Sequence, residues 1–551
     1  MHQRSPHERR AWAEVGHTAV RPAVARLLTA ACLALLLAVP VVQLGEPGGE
    51  ATPTPFEDFF AGLSEVARTA RRDGLLAANR ALLERMTNFE DALERRSWLL
   101  ERALPPSQWL LTRWGGAGNE RVVVGDGGWL IYRPGLDYLT GRPFLDPVTL
   151  ARRRAAAPSW RAPPQPDPRP AILDLARQLE ARGVGLVVLP VPTKAMIYPD
   201  ALAPALAALD EPLHNPSFAA FRAELEQAGI AVVDPAPALL AARRRGGDDV
   251  FLRTDSHWSP AGVAVAARLL AQHVLPRLPP AAAAGWRRQG VEHRALGDLA
   301  RMLELPPWQE LYAPETVVLQ RVAGGDGRPW SPSPSSPVLL LGDSFTNVFS
   351  RPDLGWGTGA GLAEQLAFHL QRPIDRLAVN DGSASGTRRR LAQLLAQGDD
   401  RLAGKVLVIY QLAVRELAQG DWQLVRLPEP ARVPPPAGAA FRARGTVVAA
   451  ARLPPPGTTP YRDAILALHL RDVEAPPEAG AGGEILVYAW GMRDDQPAPA
   501  SRYRPGQRLE LELVPWSAAA AELEPYQRLE LAGEASFLLD AYWAEEHHAI
   551  D

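Results

Sequence analysis

The sequence has a single cysteine, Cys32, among its 551 residues. One cysteine cannot close an intramolecular disulfide, whatever the compartment. An excess of charge of one sign is also lacking, since 59 basic and 62 acidic residues leave a net charge of −3, and nothing in this balance indicates a nucleic-acid partner. Hydrophobic residues make up 47% of the chain, which at this length predicts more than one domain with an ample core.

Long apolar runs are scarce, and residues 27–44 form the one strongly apolar stretch. Arginines precede it and acidic residues follow it, a bias that places the amino terminus in the cytoplasm and the bulk of the chain outside. The run is short for a membrane span and long for the apolar part of a signal peptide. We predict an uncleaved signal anchor within residues 1–46, with a cleaved signal peptide as the alternative. The protein would then be a single-pass inner-membrane protein with its bulk in the periplasm.

The rest of the chain divides into three predicted parts. Residues 47–115 read as a helical stalk, because apolar residues recur at a spacing of three and glutamate–arginine pairs are frequent. Strands alternate with helices over residues 116–427, which predicts an α/β domain with a mostly parallel sheet and helices on both faces. A proline-rich linker at 428–436 leads to short strands over 437–551, predicted to form a small β-sandwich or barrel, with an OB-like barrel as one form.

The strands and helices predicted for the α/β part follow from the hydrophobic pattern. The predicted strands are 121–124, 129–132, 185–191, 230–233, 338–341, 374–379 and 405–410, and the predicted helices are 171–181, 217–228, 361–370 and 387–396.

A candidate nucleophile follows the most apolar of these strands. Residues 338–341 are Val-Leu-Leu-Leu, typical of a strand buried on both faces, and Gly342, Asp343 and Ser344 come next. Glycine permits a tight turn, and a serine there would stand at the carboxyl edge of the sheet, where open α/β folds bind their ligands. The motif is weak alone, because a nucleophilic serine also needs a base and a carboxylate that orients the base.

A candidate base and carboxylate lie upstream, in Thr254-Asp255-Ser256-His257-Trp258. Ser259 and Pro260 are typical of the cap and first turn of a helix, so Asp255 and His257 fall on the preceding loop. There the carboxylate can accept from one imidazole nitrogen and leave the other free. The alternative is a helix-capping aspartate beside a partly buried histidine. A metal site is not predicted, because no third and fourth ligands cluster nearby in the sequence.

Together these motifs resemble the alginate O-acetyltransferase family of AlgX and AlgJ. The resemblance rests on Thr-Asp-Ser-His-Trp-Ser followed by Leu-Gly-Asp-Ser-Phe, and on four further segments. These segments are Gly125-Asp126-Gly127-Gly128-Trp129-Leu130, Pro192-Thr193-Lys194-Ala195-Met196-Ile197-Tyr198-Pro199, Gly297-Asp298-Leu299-Ala300-Arg301-Met302-Leu303 and Arg415-Glu416-Leu417. The scattered motifs span residues 56–427.

The resemblance implies an SGNH-hydrolase-like domain in permuted order, because the Asp/His pair precedes the serine here. It implies an extracytoplasmic, serine-dependent O-acetyltransferase of exopolysaccharide or alginate biosynthesis, with a membrane-bound O-acyltransferase as the acetyl donor protein and a polysaccharide as the acceptor. No cofactor is expected. Ser344 would attack the acetyl carbonyl, His257 would take its proton and Asp255 would orient the imidazole. The backbone N–H groups of Ser344 and Gly382 are the predicted oxyanion donors.

Four further residues are predicted to bind substrate: Lys194, Tyr410, Gln411 and Arg415. Lys194 and Arg415 could hold an anionic sugar, with a solvated loop lysine and a pair with Glu416 as the alternatives. Tyr410 and Gln411 stand where the relatives are expected to carry Trp-Glu, so charge recognition is expected to differ. In the last domain Tyr461, Tyr488, Trp490 and Trp516 either stack on sugars or fill the core.

Two other functions fit the same residues. A carbohydrate acetylesterase would use the same triad with water as the acceptor, and a non-catalytic scaffold would only bind polysaccharide. The triad cannot decide between transfer and hydrolysis, because that choice depends on whether a sugar hydroxyl outcompetes water in the groove.

Overall fold

The computed structural model describes residues 22–45, 55–95, 98–156, 163–380, 384–430, 440–454, 459, 461–476, 483–523, 526–531 and 539–550. The predicted oxyanion residue Gly382 and most of the predicted linker lie outside these ranges. The chain forms two units, Met1–Ser107 and Gln108–Asp551.

The described residues of the first unit are helical apart from Gly62 and Gly74, which separate consecutive helices. Its helices are Pro22–Gly45, Pro55–Ala61, Leu63–Asp73 and Leu75–Arg95, and a fifth, Trp98–Gly115, runs into the second unit. Phe59 packs against Phe89 with ring centroids 4.7 Å apart, which joins two of these helices. Within the described part of the chain, no helix has the length and apolarity needed to cross a membrane, so the anchor predicted within residues 1–46 finds no support here.

The second unit contains the strands, which we number in chain order. They are β1 Val122–Val124, β2 Leu130–Tyr132, β3 Gly185–Val191, β4 Ala231–Val232, β5 Arg287–Ala295, β6 Glu315–Ala323, β7 Val338–Gly342, β8 Asp375–Ala378, β9 Leu407–Ala413, β10 Phe441–Ala450, β11 Ala464–Glu474, β12 Glu484–Arg493, β13 Gln496–Pro497, β14 Arg508–Pro515, β15 Gln527–Leu529 and β16 Ala541–Ile550.

The helices of the second unit alternate with the strands of the α/β part, except for the last helix, which lies among the carboxyl-terminal strands. They are Arg133–Thr140, Pro147–Ala155, Pro168–Glu180, Lys194–Ile197, Phe218–Gln227, Ala236–Arg244, Pro260–Val274, Asp298–Met302, Ser344–Asn347, Leu362–Leu370, Gly386–Ala396, Arg415–Gln419 and Trp516–Leu523.

A five-stranded sheet organises the α/β part, in the order β4-β3-β9-β7-β8 with every neighbouring pair parallel. All residues of β7 and β9 are buried, which requires cover on both faces of the sheet. This confirms the predicted parallel α/β sheet. The predicted strand at 185–191 matches β3, and the other predicted elements of the sheet end within a few residues of the observed ones.

The antiparallel hairpin β5-β6 lies outside the predicted elements. Most side chains of β5 are exposed and polar, so the sequence there lacks the apolar alternation that signals a strand. β5 is held in the structure by pairing with β6. The side chains of Leu319 and Val322 in β6 are buried in the main hydrophobic core.

The carboxyl-terminal strands close into a barrel. β11 pairs with β12, β12 with β16, β16 with β14, β14 with β10 and β10 with β11, so each of these five strands pairs with two others of the five and the ring is complete. Of the two architectures predicted for 437–551, the structure therefore has the barrel. Closure removes the free edges that an open sheet of this size would expose.

The barrel shares the core of the α/β part. Tyr461, Ala464 and Met492 belong to the main hydrophobic cluster, although all three lie in the barrel sequence. The side chains of Tyr461 and Tyr488 are fully buried and Trp516 nearly so, which makes them core residues and excludes sugar stacking by the first two. The barrel and the α/β part should therefore unfold together.

We expect Met492→Ala to lower the free energy of unfolding by about 2–5 kcal/mol, because it leaves a cavity in the shared core. Thermal unfolding followed by circular dichroism and calorimetry would measure the loss, and the whole Gln108–Asp551 unit should shift in one transition. The matched control is Leu424→Ala, at a side chain that is 58% exposed, where the change should stay within about 0.5 kcal/mol. Two separate transitions would contradict the shared core.

Candidate active site

Three predicted site residues meet at the carboxyl edge of the parallel sheet. Lys194 follows β3, Ser344 follows β7 and Arg415 follows β9, and these strands are adjacent in the order β3-β9-β7. Parallel strands end at the same edge, so the topology brings together residues that are far apart in the sequence.

The turn that carries Ser344 is held by two side chains. Asp343 caps the short helix Ser344–Asn347, with Oδ1 accepting from the Phe345 backbone N–H at 2.9 Å and Oδ2 accepting from the Ala413 N–H at 3.0 Å. Gln411 completes the turn. Its Oε1 accepts from the Asp343 N–H at 2.9 Å and its Nε2 donates to Asp343 Oδ1 at 2.8 Å. Ser344 therefore lies at the start of a helix whose first turn is held in place by hydrogen bonds of Asp343 and Gln411.

Of the predicted substrate-binding residues, Tyr410 and Gln411 are placed inside the structure. Gln411 is 1% exposed and its amide serves the serine turn, while the Tyr410 hydroxyl donates to the Ala384 carbonyl at 2.7 Å. Burial raises the pKa of Tyr410, which keeps the hydroxyl a donor. Both side chains therefore make structural hydrogen bonds at the carboxyl edge of the sheet. Their contact with substrate stays a prediction.

The Asp255–His257 loop is anchored on three sides. The Arg253 carbonyl accepts from the Leu130 N–H at 2.9 Å, Glu315 accepts from the Thr254 N–H at 2.8 Å, and the Thr254 carbonyl accepts from the Ala300 N–H at 3.1 Å. The loop then enters helix Pro260–Val274 through the predicted cap, with Ser259 Oγ accepting from the Gly262 N–H at 3.2 Å.

Asp255 and His257 form the predicted pair. His257 Nδ1 lies 2.7 Å from Asp255 Oδ1, and both side chains are almost completely buried. Asp255 also accepts from the His257 N–H at 3.0 Å, the Asp298 N–H at 2.9 Å and Trp356 Nε1 at 2.8 Å. The alternative of a merely helix-capping aspartate does not fit, because Ser259 provides the cap and the carboxylate is committed to the imidazole.

Opposing effects set the protonation of this pair. Burial alone would raise the pKa of Asp255, but the hydrogen bond and charge of His257, with the donors at Oδ2, hold it well below the usual range. Burial would likewise lower the pKa of His257, but Asp255, followed by the charge of Asp298, raises it above its ordinary value. The carboxylate is thus ionised, and the imidazole is more basic than a free histidine.

The structure places the His257 ring next to the serine turn. Its centroid is 4.8 Å from the ring of Phe345, the residue that follows Ser344, and Trp258 Nε1 donates to the Phe345 carbonyl at 3.0 Å. Trp258 is fully buried, so it packs beneath the site. Among the described residues, no hydrogen bond joins Ser344 Oγ to His257, so the assembled triad stays a prediction.

Of the two predicted oxyanion donors, Ser344 lies in the described part of the chain and Gly382 does not. Ser344 occupies the first position of its helix, where a backbone N–H has no partner within the helix. Gly382 falls in the undescribed residues 381–383, so its part in an oxyanion hole stays a prediction.

Asp298 joins the pair as a third buried ionisable group. One ligand atom each from Asp255, His257 and Asp298 lies within 4.8 Å of the others. The expectation that no third potential metal ligand lies nearby is therefore wrong. The sequence signal for Asp298 was the Gly297-Asp298-Leu299 segment, which resembles the family but by itself indicates no ligand. Both carboxylates are occupied by hydrogen bonds, which favours the orienting role over coordination.

A small cleft opens beside this group. It is lined by Tyr132, Thr193, Lys194, Ser256, Phe345 and Arg415, among others. Lys194 Nζ donates to the Leu130 carbonyl at 2.6 Å and to the Arg253 carbonyl at 3.1 Å, so it is not a solvated loop lysine. Burial lowers the pKa of Lys194 to about 8 against the attraction of Asp255, Asp298 and Glu315.

Arg415 brings a second cation to the cleft. Its guanidinium lies 5.5 Å from the ring centroid of Tyr132 and 5.7 Å from that of Phe345, and its Nε is 3.6 Å from Glu416 Oε1. The predicted alternative of a pair with Glu416 is therefore present together with the cleft position. Two cations beside the Asp255–His257 pair make this cleft suited to an anionic ligand.

Residues 149–414 match the family described as SGNH hydrolase-like domain, acetyltransferase AlgX. The chain is 33% identical over 212 residues to the probable alginate O-acetylase AlgJ of Pseudomonas aeruginosa, an alignment that covers 37% of this chain and 46% of the relative. It is 32% identical over 187 residues to the probable alginate O-acetylase AlgJ of Pseudomonas fluorescens, covering 32% of this chain and 46% of the relative. The chain thus spans less than half the length of these curated relatives.

The solved structures that are similar to this chain include two from Pseudomonas proteins. The O-acetyltransferase domain of Pseudomonas putida AlgJ has 22% identity and a TM-score of 0.41, and covers 54% of this chain and 93% of its own. Pseudomonas aeruginosa AlgX has 15% identity and a TM-score of 0.36, and covers 77% of this chain and 90% of its own.

A methyl group at Gly297 should misplace the Asp255 loop. A Cβ there would lie 2.2 Å from the Thr254 carbonyl oxygen and 2.5 Å from the Asp255 nitrogen, both of them backbone atoms. We expect Gly297→Ala to lower kcat/KM on an acetyl ester by about 100-fold, the size of effect that a displacement near 1 Å can have. The matched control is Gly483→Ala, where an added Cβ meets nothing within 4 Å. Equal activity of the two variants would contradict the role of this contact.

Proposed function

This chain belongs, through residues 149–414, to the AlgX/AlgJ-like family of alginate O-acetyltransferases, and from that premise we propose that it moves acetyl groups onto hydroxyls of an exopolysaccharide through an acetyl-serine intermediate. One observation carries the proposal. A buried carboxylate lies 2.7 Å from an imidazole nitrogen, and the imidazole ring lies 4.8 Å from the ring of Phe345, which follows a serine that starts a helix at the carboxyl edge of the sheet.

The residues divide the reaction into two half-reactions. Ser344 Oγ attacks the acetyl carbonyl while His257 Nε2 takes the hydroxyl proton, and the same proton then goes to the departing donor group. A sugar hydroxyl next attacks the acetyl-serine, with His257 again accepting the proton and returning it to Ser344 Oγ. The Ser344 backbone N–H, with Gly382 as the second proposed donor, stabilises the oxyanion, and losing one such donor costs about 3–4 kcal/mol in the barrier.

The cations of the cleft support an acidic acceptor. Lys194 and Arg415 both line the cleft, and each could attract a sugar carboxylate. Alginate, which the relatives' names specify, carries a carboxylate on every sugar. An acidic polysaccharide is therefore the proposed acceptor.

The location and the donor are further parts of the proposal. The arginine bias before residues 27–44 supports a chain whose bulk lies outside the cytoplasm, in the periplasm. Acetyl groups made in the cytoplasm would have to be carried across the membrane, for which we propose a membrane-bound O-acyltransferase as the donor protein.

The serine assignment is tested with the purified protein and a chromogenic acetyl ester. Ser344→Ala should reduce kcat by on the order of 10⁴-fold or more, because it removes the hydroxyl that is proposed to form the acyl-enzyme. Ser350→Ala is the control, a serine on the same stretch whose hydroxyl donates to Glu364 Oε2 instead. Normal turnover by Ser344→Ala would leave a non-catalytic scaffold as the better reading.

Transfer is separated from hydrolysis by adding acceptor. With oligomannuronate present, a transferase should yield acetylated sugar, measured by mass spectrometry, and release less free acetate per ester consumed. An acetylesterase would release acetate at the same rate and leave the sugar unmodified.

The pH profile follows from the raised pKa of His257. The base must be neutral to accept a proton, so activity is lost as the pH falls through its pKa. We therefore expect the acidic limb of kcat/KM to have its midpoint above about 6.5, the value of an ordinary histidine. A midpoint clearly below this value would show that Asp255 does not raise the basicity of His257.

A further inference from the structure

Asp298 is a buried carboxylate that the triad does not use. It starts the helix Asp298–Met302 and is 1% exposed. Its Oδ1 accepts from the Ser256 backbone N–H at 2.6 Å, and its Oδ2 accepts from the Ser256 hydroxyl at 2.5 Å. The same Oδ2 is 3.8 Å from His257 Nδ1, so it lies behind the imidazole together with Asp255.

The Ser256 hydroxyl stands between Asp298 and the imidazole. Its Oγ is 3.3 Å from His257 Nδ1, close enough to compete with Asp255 for this nitrogen. A hydroxyl has one proton, so it donates to only one of its two neighbours. If it donates to Asp298, its lone pairs face His257 and can accept from an Nδ1–H.

The opposite orientation would disable the base. A hydroxyl that donates to Nδ1 requires an imidazole whose proton is on Nε2. Such an Nε2 cannot take the proton of Ser344. The direction of one hydroxyl beside the ring therefore affects which tautomer is present, and with it the fraction of molecules that can react.

We propose that Asp298 is a positioning residue that draws the Ser256 hydroxyl toward itself and so holds His257 in the Nδ1–H tautomer. This rests on the proposed function for the direction of proton transfer. Asp255 provides the main acceptor at 2.7 Å, and Asp298 removes the competing donor. The Asp298 backbone N–H makes a separate contribution by donating to Asp255, which does not need the carboxylate.

The first test is Asp298→Asn. It keeps the size of the side chain and the backbone N–H, but its amide can donate to Ser256 Oγ and so turn the hydroxyl toward His257. We expect kcat/KM to fall roughly 10- to 100-fold, as for loss of an orienting partner behind a catalytic group. Asp326→Asn, at an exposed carboxylate that pairs with Arg328, is the matched control and should leave kcat/KM unchanged.

The decisive test adds Ser256→Ala. Without the hydroxyl there is no competing donor, so the double variant Ser256→Ala/Asp298→Asn should be several-fold more active than Asp298→Asn alone. If Asp298 only stabilised the fold, the double variant should be less active than Asp298→Asn, because the losses caused by two substitutions at buried sites would add. A double variant that is as impaired as Asp298→Asn, or more so, would overturn the proposal.

Nitrogen-15 NMR of the histidine rings measures the tautomer without any activity. In the wild-type chain at a pH where His257 is neutral, its Nδ1 should carry the proton, and Asp298→Asn should move part of the population to Nε2–H. His257→Gln identifies the signal. An Nε2–H tautomer in the wild type, or no change in Asp298→Asn, would overturn the proposal even if one variant folds poorly.

The pH profile gives a second readout of Asp298. The charged groups that face His257 are Asp255, Asp298 and Arg415, of which Arg415 opposes the imidazolium. Removing the charge of Asp298 should move the acidic limb of kcat/KM to lower pH, whereas an unshifted limb would count against it. Failure of the serine assignment would appear in Ser344→Ala and would leave the NMR result intact.

Discussion

The site depends on keeping Asp255 ionised in a place without solvent. A carboxylate removed from water is unstable as an anion unless donors replace the water, and here four hydrogen bonds do so. The donors come from His257 itself, from the start of the helix at Asp298 and from Trp356. The loop, the helix and the tryptophan must therefore be in place before the imidazole can be oriented, which explains why this part of the chain is so closely packed.

The serine turn is built independently, from the sheet. Gln411 lies inside β9 and reaches sideways to Asp343 at the end of β7, so the position of the nucleophile is set by strand pairing. The two halves are then joined by Trp258, whose indole donates to the carbonyl that follows the serine. Breaking this buried hydrogen bond would leave its donor and acceptor without a partner, which is costly because no water replaces them. The bond therefore fixes the Asp255–His257 loop relative to the serine turn.

The barrel takes part in the same packed unit. Gln527 of β15 donates to the carbonyl of Asn380, at the edge of the residues that include Gly382, and Gln393 donates to the hydroxyl of Tyr488 at 2.8 Å. β15 and β12 thus contact Asn380, two residues after β8, and the helix Gly386–Ala396 of the α/β part, respectively. Tyr461, Tyr488 and Trp516, which by residue type alone could stack on sugars, instead pack in the core.

Local sequence patterns were enough to predict the parallel strands and their helices, the serine turn after β7 and the helix cap after His257. These features follow from apolar runs and from capping chemistry that neighbouring residues provide. The sequence also placed Asp255 two residues before His257, a spacing that permits their contact. Three features required the folded chain: Asp298 lies behind the imidazole, Gln411 holds the serine turn, and the barrel shares the core of the α/β part. Each of these features brings together residues that are far apart in the chain. Their contacts depend on how strands pair and helices pack, and no local sequence pattern predicts them.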